Sequence, residues 1–169
     1  MVILGIDTAI RCTGYGLVEF REGGVVNVLD CGIIKNRKDI PHSECLRRLS
    51  GGIREIAGRF KPDSAAIEGT FVSRNIKTAM ILSYARGAVM AVLAEANIPI
   101  YAYSPKKAKL AVCGSGNSTK MQVALMLASL FNLKTEEIPL DSTDALALAV
   151  CHGQIVGNTN FLYKLPVRL

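Results

Sequence analysis

The chain has 169 residues and a mass of 18.2 kDa; 50% of its residues are hydrophobic, 20% are charged, and the net charge is +6. These proportions exclude a disordered or fibrous chain. The length fits one domain with its own core and leaves too little chain for the two-lobed kinases and chaperone ATPases.

No uninterrupted apolar run reaches the ~18 residues that a membrane span needs. Met1–Asp7 has no basic region ahead of its apolar stretch and carries an acid at position 7. Neither a membrane span nor a secretory signal is therefore expected, and the expected location is cytoplasmic. The five cysteines (Cys12, Cys31, Cys45, Cys113 and Cys151) are odd in number and widely spaced, with no Cys-x-x-Cys pair. Buried reduced thiols are expected, not a disulfide framework or a zinc knuckle.

The first element is a short apolar run, Val2–Asp7, read as a buried strand ending in an acid. Gly14–Phe20 reads as a second strand, Glu22-Gly23-Gly24 as a turn, and Val25–Ile34 as a third strand. These form an antiparallel meander. Leu46, Leu49, Ile53, Ile56 and Phe60 then recur at helical spacing, with Lys61-Pro62-Asp63 ending the helix. Ser64–Glu68 is a second short apolar run ending in an acid.

Ile76–Ala96 predicts a long helix that is apolar or small almost all round, so it needs cover on more than one side. Ile98–Tyr103 is a strand. Ser104-Pro105 opens a helix as N-cap and first residue. Thr119–Phe131 and Thr143–Val156 are two more helices. The order predicts one α/β domain over residues 1–156, a five-stranded mixed sheet with helices on both faces, followed by a mobile tail over 157–169.

Charge is uneven. Residues 69–135 carry Arg74, Lys77, Arg86, Lys106, Lys107, Lys109, Lys120 and Lys134 against Glu95 alone. Such a basic segment suggests a surface for a polyanion, although lysine-rich faces also serve solubility.

The acids fall where strands end and the last helix begins. Asp7 and Glu68 close two apolar strands, and Asp141 and Asp144 lie three apart at the start of the final helix. Carboxylates brought together repel, and a hard divalent cation removes that penalty. Two such ions about 4 Å apart can activate a water and stabilise the leaving oxygen of a phosphodiester. The competing reading makes Asp141 or Ser142 a helix cap, Asp144 a charge at the helix's positive end, and Asp7 a turn residue. Four acids at these positions beside a basic segment favour the site.

The sequence resembles the RuvC family of Holliday junction resolvases over about residues 1–156. The resemblance is carried by seven ordered blocks. Ile3-Leu4-Gly5-Ile6-Asp7, Thr13-Gly14-Tyr15-Gly16, and Ile67-Glu68 with Phe71 come first. Ala85-Arg86-Gly87-Ala88 and Tyr103-Ser104-Pro105 with Lys109 follow. The last are Gly114-Ser115-Gly116 with Lys120, Gln122 and Val123, and Asp141-Ser142-Thr143-Asp144-Ala145-Leu146-Ala147.

The resemblance implies an RNase H-like fold and a Mg²⁺-dependent crossover junction endodeoxyribonuclease of homologous recombination and DNA repair. Asp7, Glu68, Asp141 and Asp144 would be the catalytic, metal-binding acids, with Asp7 bridging two ions. Water would attack the phosphorus in line and leave 5′-phosphate and 3′-hydroxyl ends. Phe71, Arg74, Lys109 and Lys120 would contact DNA. The partners implied are four-way junction DNA, a second copy in a homodimer, and the branch-migration complex RuvA-RuvB.

One departure stands out: Thr8-Ala9 replaces the Pro-Gly that usually follows the first aspartate. A second reading is therefore a junction-binding protein with weakened cutting. A third, an RNase H-fold ATPase, is disfavoured by length. Gly114–Lys120 lacks the glycine directly before lysine that a P-loop requires, though such a loop can still hold a DNA phosphate. His152, late in the last helix, reads as a core or C-terminal capping group.

Overall fold

The computed structural model describes residues 1–21, 25–69, 75–157 and 168–169. Five strands form one sheet: β1 (Val2–Asp7), β2 (Cys12–Phe20), β3 (Val26–Lys35), β4 (Ser64–Glu68) and β5 (Ile100–Tyr103). Their spatial order is β3-β2-β1-β4-β5. β1, β2 and β3 pair antiparallel, whereas β1–β4 and β4–β5 pair parallel. The expected turn at residues 22–24 lies outside the described residues.

Side chains of successive strand residues point to opposite faces, and this alternation builds two cores. Leu4, Ile6, Leu17 and Ile67 face a layer made by α1 (His42–Phe60) and α2 (Ile76–Glu95). Ile3, Val18, Ala66 and Tyr103 face α3 (Pro105–Cys113), α4 (Lys120–Phe131) and α5 (Thr143–Gly157). Helices on both faces of a mixed sheet match the expectation.

Local chemistry explains the boundaries. Lys61 ends α1 in the left-handed region at φ 46°, its N–H donating to the Ala57 carbonyl. Ser104 caps α3 by accepting from the Lys107 N–H, with Pro105 at the first helical position. Thr119 and Gln122 form a reciprocal capping box on α4.

Three expectations change. First, α2 is long and apolar enough, by length and composition, to cross a membrane, with a window mean hydropathy of 1.4. Its charged residues break the uninterrupted run but hardly lower an average over 18 residues. In this fold it packs on α1 and the sheet through Ala85, Val89, Val92 and Leu93. Second, of the five thiols only Cys45 and Cys151 are buried; Cys12, Cys31 and Cys113 are half-buried. Third, in the predicted tail, Arg168 bridges Tyr101 and the Leu169 N–H donates to the Ile100 carbonyl on the free edge of β5. The rest of that segment, 158–167, lies outside the described residues.

Candidate active site

Strand alternation and register place the first two acids together. Ile6 pairs with Ile67 across the parallel β1–β4 ladder, so Asp7 and Glu68 follow side by side at adjacent strand ends. Both project on the α5 face, as do Gly5 and Ala66. The last two acids come from the chain entering α5. Asp141 lies in a single 3-10 turn, Leu140–Ser142, and Asp144 in the first turn of α5.

Close approach of α5 to the sheet requires glycine. A Cβ on Gly5 would stand 1.9 Å from the Ala145 carbonyl oxygen, and one on Gly14 would stand 2.0 Å from the Asp141 carbonyl oxygen. These two positions let β1 and β2 touch the backbone that carries Asp141 and Asp144. The capping readings for the α5 start are not what the side chains do. The Ser142 hydroxyl donates to the Pro139 carbonyl and the Thr143 hydroxyl to the Leu140 carbonyl. Asp141 instead accepts from Lys120 Nζ at 2.9 Å and from the Cys12 thiol at 3.5 Å.

The electrostatics are those of crowded carboxylates. Burial and the neighbouring charge of Asp144 raise Asp7 above the usual carboxylate range. Burial, then Asp7, pushes Glu68 up to about 7. The two carboxyl groups are hydrogen-bonded to one another, and that bond favours the protonated form of Glu68 over that of Asp7. Lys120 Nζ also lies 4.0 Å from Asp144. Burial works against this ammonium, but Asp141, Asp144 and Asp7 outweigh it and raise its pKa. Lys120 in turn holds Asp141 below its usual value.

Beside the acids is a cavity of about 200 Å³ lined by Glu68, Pro105, Ala108, Lys109, Asp144 and Leu148. All four predicted acids and both predicted lysines are thus gathered at one end of the sheet. Phe71 and Arg74 lie outside the described residues. Among the described residues, no three His, Cys, Asp or Glu side chains already close around a single point as a metal cage. The donor set nevertheless suits a hard cation. It offers carboxylate oxygens only, two of the groups hydrogen-bonded to one another, with Lys120 as counter-ion among them.

Sequence reasoning missed three contributors. The Cys12 thiol donates to Asp141, and only the β2 register reveals that proximity. Arg86 of α2 donates to the Glu68 backbone carbonyl and so ties α2 to the site. His152 is fully buried and joins three elements: Nδ1 lies 2.6 Å from the Tyr103 hydroxyl and Nε2 3.0 Å from the Ser64 hydroxyl, while Tyr101 stacks on the ring. Tyr103 pairs with Glu68 in the sheet, and Asp144 lies two turns before His152 on α5. The ring therefore braces α5 against the strands that carry the acids. The core reading of His152 holds.

The replacement at Thr8-Ala9 leaves the turn intact. Neither residue has a positive φ, the region that favours glycine. The Ala9 N–H donates to Thr13 Oγ1 at 3.2 Å, and that hydroxyl donates back to the Ala9 carbonyl at 2.6 Å. The backbone after Asp7 has no need of the missing glycine.

Residues 3–152 match the family model described as crossover junction endodeoxyribonuclease RuvC. A protein of that name from Chlorobaculum parvum is 41% identical over 151 residues, 89% of this chain and 80% of the relative. One from Chloroflexus aggregans is 41% identical over 153 residues, 90% of this chain and 93% of the relative. The T. thermophilus RuvC solved in complex with a Holliday junction substrate superposes with a TM-score of 0.84. It is 33% identical, covering 92% of this chain and 94% of that one.

Proposed function

The chain belongs to the RuvC family of crossover junction endodeoxyribonucleases, and on that premise we propose that it resolves four-way DNA junctions by paired phosphodiester hydrolysis in recombination and repair. The observation that carries this reading is the convergence of Asp7, Glu68, Asp141 and Asp144 from three separate chain segments, with Lys120 between them. Metal dependence goes with the family, and two Mg²⁺ ions are the reading that four carboxylates and a phosphodiester substrate support best.

Asp7, Glu68, Asp141 and Asp144 would hold the ions, which when bound supply Lewis acidity and lower the pKa of a water at the scissile phosphate. For Asp7 and Glu68 both to ligate, the proton on Glu68 must leave; this happens readily because Glu68 titrates near 7. Lys120 keeps Asp141 ionised and offsets charge from the Asp144 side. Lys109, which lines the same cavity as Glu68 and Asp144, is placed to meet a phosphate oxygen. Leu148 and Ala108 form an apolar wall that limits water around the reacting group.

Paired incision needs two sites, and the exposed apolar half of α2 supports a homodimer. Ile76 is 75% exposed, Met80 50% and Tyr84 47%. A junction substrate fits cytoplasmic action beside a branch-migration complex of the RuvA-RuvB kind. The test is a synthetic mobile four-way junction incubated with and without Mg²⁺. Symmetric nicked duplexes that form only with Mg²⁺ are expected. Absence of cutting, or equal cutting of linear duplex, would overturn the reading.

A further inference from the structure

We infer that the loop joining β3 to α1 is a second DNA-backbone contact, a rigid basic lip holding a junction arm on the side of the acids away from Lys109. This deepens the function proposed above and rests on it.

The topology sets the positions. The acids end the central strands β1 and β4. Because β2 runs antiparallel to β1 and β3 antiparallel to β2, the end of β3 lies at the same end of the sheet as Asp7. Lys35 pairs directly with Cys12, whose thiol donates to Asp141, so Lys35 projects on the face that carries the acids. Its charge acts on Asp141. Lys109, by contrast, follows β5 at the opposite edge. Strands spaced about 4.8 Å apart put roughly 19 Å between the two edges. That is close to a minor plus a major groove, ~6 and ~12 Å. A duplex lying across the acids would meet cations on both flanks.

The lip is also built to be stiff. Buried Asn36 donates from Nδ2 to the Ile10 carbonyl at 2.8 Å and to the Cys45 carbonyl at 3.2 Å, and its Oδ1 accepts from Arg48. Arg11, four residues after Asp7, donates from one nitrogen to the carbonyls of Arg37 and Ile40. The site turn and the lip are therefore fastened to one another. A face serving only solubility needs no such bracing. Arg37 is paired with Asp39, but Lys35 and Lys38 are exposed and have no ion pair among the described residues. Two unpaired cations on a braced loop fit a row of phosphates, each releasing counter-ions on contact.

The experiment measures junction affinity of the full chain over a salt series, with chelator present to prevent cutting. The Lys35→Ala/Lys38→Ala double variant is compared with the parent, with Lys35→Arg/Lys38→Arg, and with Arg21→Gln at the far end of the sheet. The slope of log affinity against log salt should shrink in magnitude by about 2 per bound subunit for the alanine pair, at ~0.9 per phosphate contact. It should not change for the arginine pair or for Arg21→Gln. With Mg²⁺, the alanine pair should need more protein than the parent to reach half-maximal cutting, and the arginine pair should not.

An unchanged slope in the alanine pair, beside a parent that binds and cuts, would overturn the lip alone. An equal loss per charge in Arg21→Gln would reduce it to general electrostatics and overturn it too. A parent that neither binds nor cuts the junction would remove the proposed function and the lip with it.

Discussion

Helices α2 and α5 are alike in composition and opposite in fate. Both are rich in alanine and large apolar residues with a few polar positions, and neither has a pronounced polar side. In α5 every residue from Ala145 to Gly153 is buried, wedged between β1, β2, α3 and α4. In α2 only Ala85, Val89, Val92 and Leu93 are buried, while Ile76, Met80, Leu82 and Tyr84 face outward. An all-apolar helix must be covered, but its composition does not say by what. The cover of α5 is in this chain, and Gly5 and Gly14 on the strands make room for it. Among the described residues nothing covers the outward half of α2, as the proposed second subunit would require. Four predictions test the contrast, in order of decreasing effect.

The largest effect belongs to the acids that α5 brings to the sheet. Asp144→Asn and Asp7→Asn should each slow junction cutting by at least ~10³-fold, about 4 kcal/mol of barrier. Junction affinity should stay within a few-fold of the parent, because ligation needs the anionic oxygen and the phosphate contacts lie elsewhere. Single-turnover cleavage and gel retardation read the two effects. Loss of binding along with cutting would instead assign these acids to folding.

Next comes a matched pair of glycine substitutions. Gly5→Ala drives a methyl into the Ala145 carbonyl and should cost at least ~3 kcal/mol. Gly87→Ala on α2 meets nothing within 4 Å among the described residues and should stabilise the subunit by up to ~1 kcal/mol through helix propensity alone. Urea unfolding of both variants gives the values. Equal costs would mean that α2 is as tightly covered as α5 within one chain.

The third prediction uses the ring that locks α5. Burial pulls His152 down to about 4. The unfolded chain takes up this proton near 6.5, the folded chain only near 4. Between those values the unfolded state binds more protons, so stability falls on acidification through pH 6.5 to 4, by on the order of 3 kcal/mol. Glu68 acts in the opposite sense. Raised to about 7, it makes the metal-free fold lose stability as pH rises from about 4.5 to 7. His152→Gln should therefore lose the acid-side fall and keep the Glu68 slope, and added Mg²⁺ should reverse the Glu68 slope. Parallel pH curves for the variant and the parent would take His152 out of the account.

Much of this architecture was legible in the sequence. Strand ends at Asp7 and Glu68, the Ser104-Pro105 helix start and the Lys61 stop follow from local chemistry, which works over a few residues. Asp7 and Glu68 were legible because charge is rare at the ends of apolar strands, and Asp141 and Asp144 because they lie three apart where the last helix begins. The contributions of Cys12, Arg86 and His152 were not. Each depends on register or packing between segments far apart in sequence, with no local signature. The surroundings of Lys120 were hidden for the same reason: expected at DNA, it also lies against Asp141 and Asp144. How the apolar surface of α2 divides was not legible either: Ile76 and Met80 face outward, Val89, Val92 and Leu93 inward. With almost no polar residues to mark a boundary, periodicity cannot separate two apolar faces.

The smallest effect on the subunit, and the sharpest test of the contrast, is a charge placed on that outward face. Met80 is 50% exposed and outside the core cluster on its side of the sheet. Met80→Lys should therefore change the subunit's own stability by no more than ~0.5 kcal/mol, the range for surface positions. If a two-fold partner covers this face, the two substituted side chains meet near the axis, since an isologous interface presents the same patch twice. Burying two ammonium groups there would cost several kcal/mol, enough to dissociate a dimer at micromolar concentration. Sedimentation should then show a monomer where the parent shows a dimer. Junctions should be nicked on one strand while paired incision slows, because each subunit keeps its own four acids. A parent that sediments as a monomer at that concentration and still cuts both strands together would leave α2 uncovered, and the contrast with α5 would need another explanation.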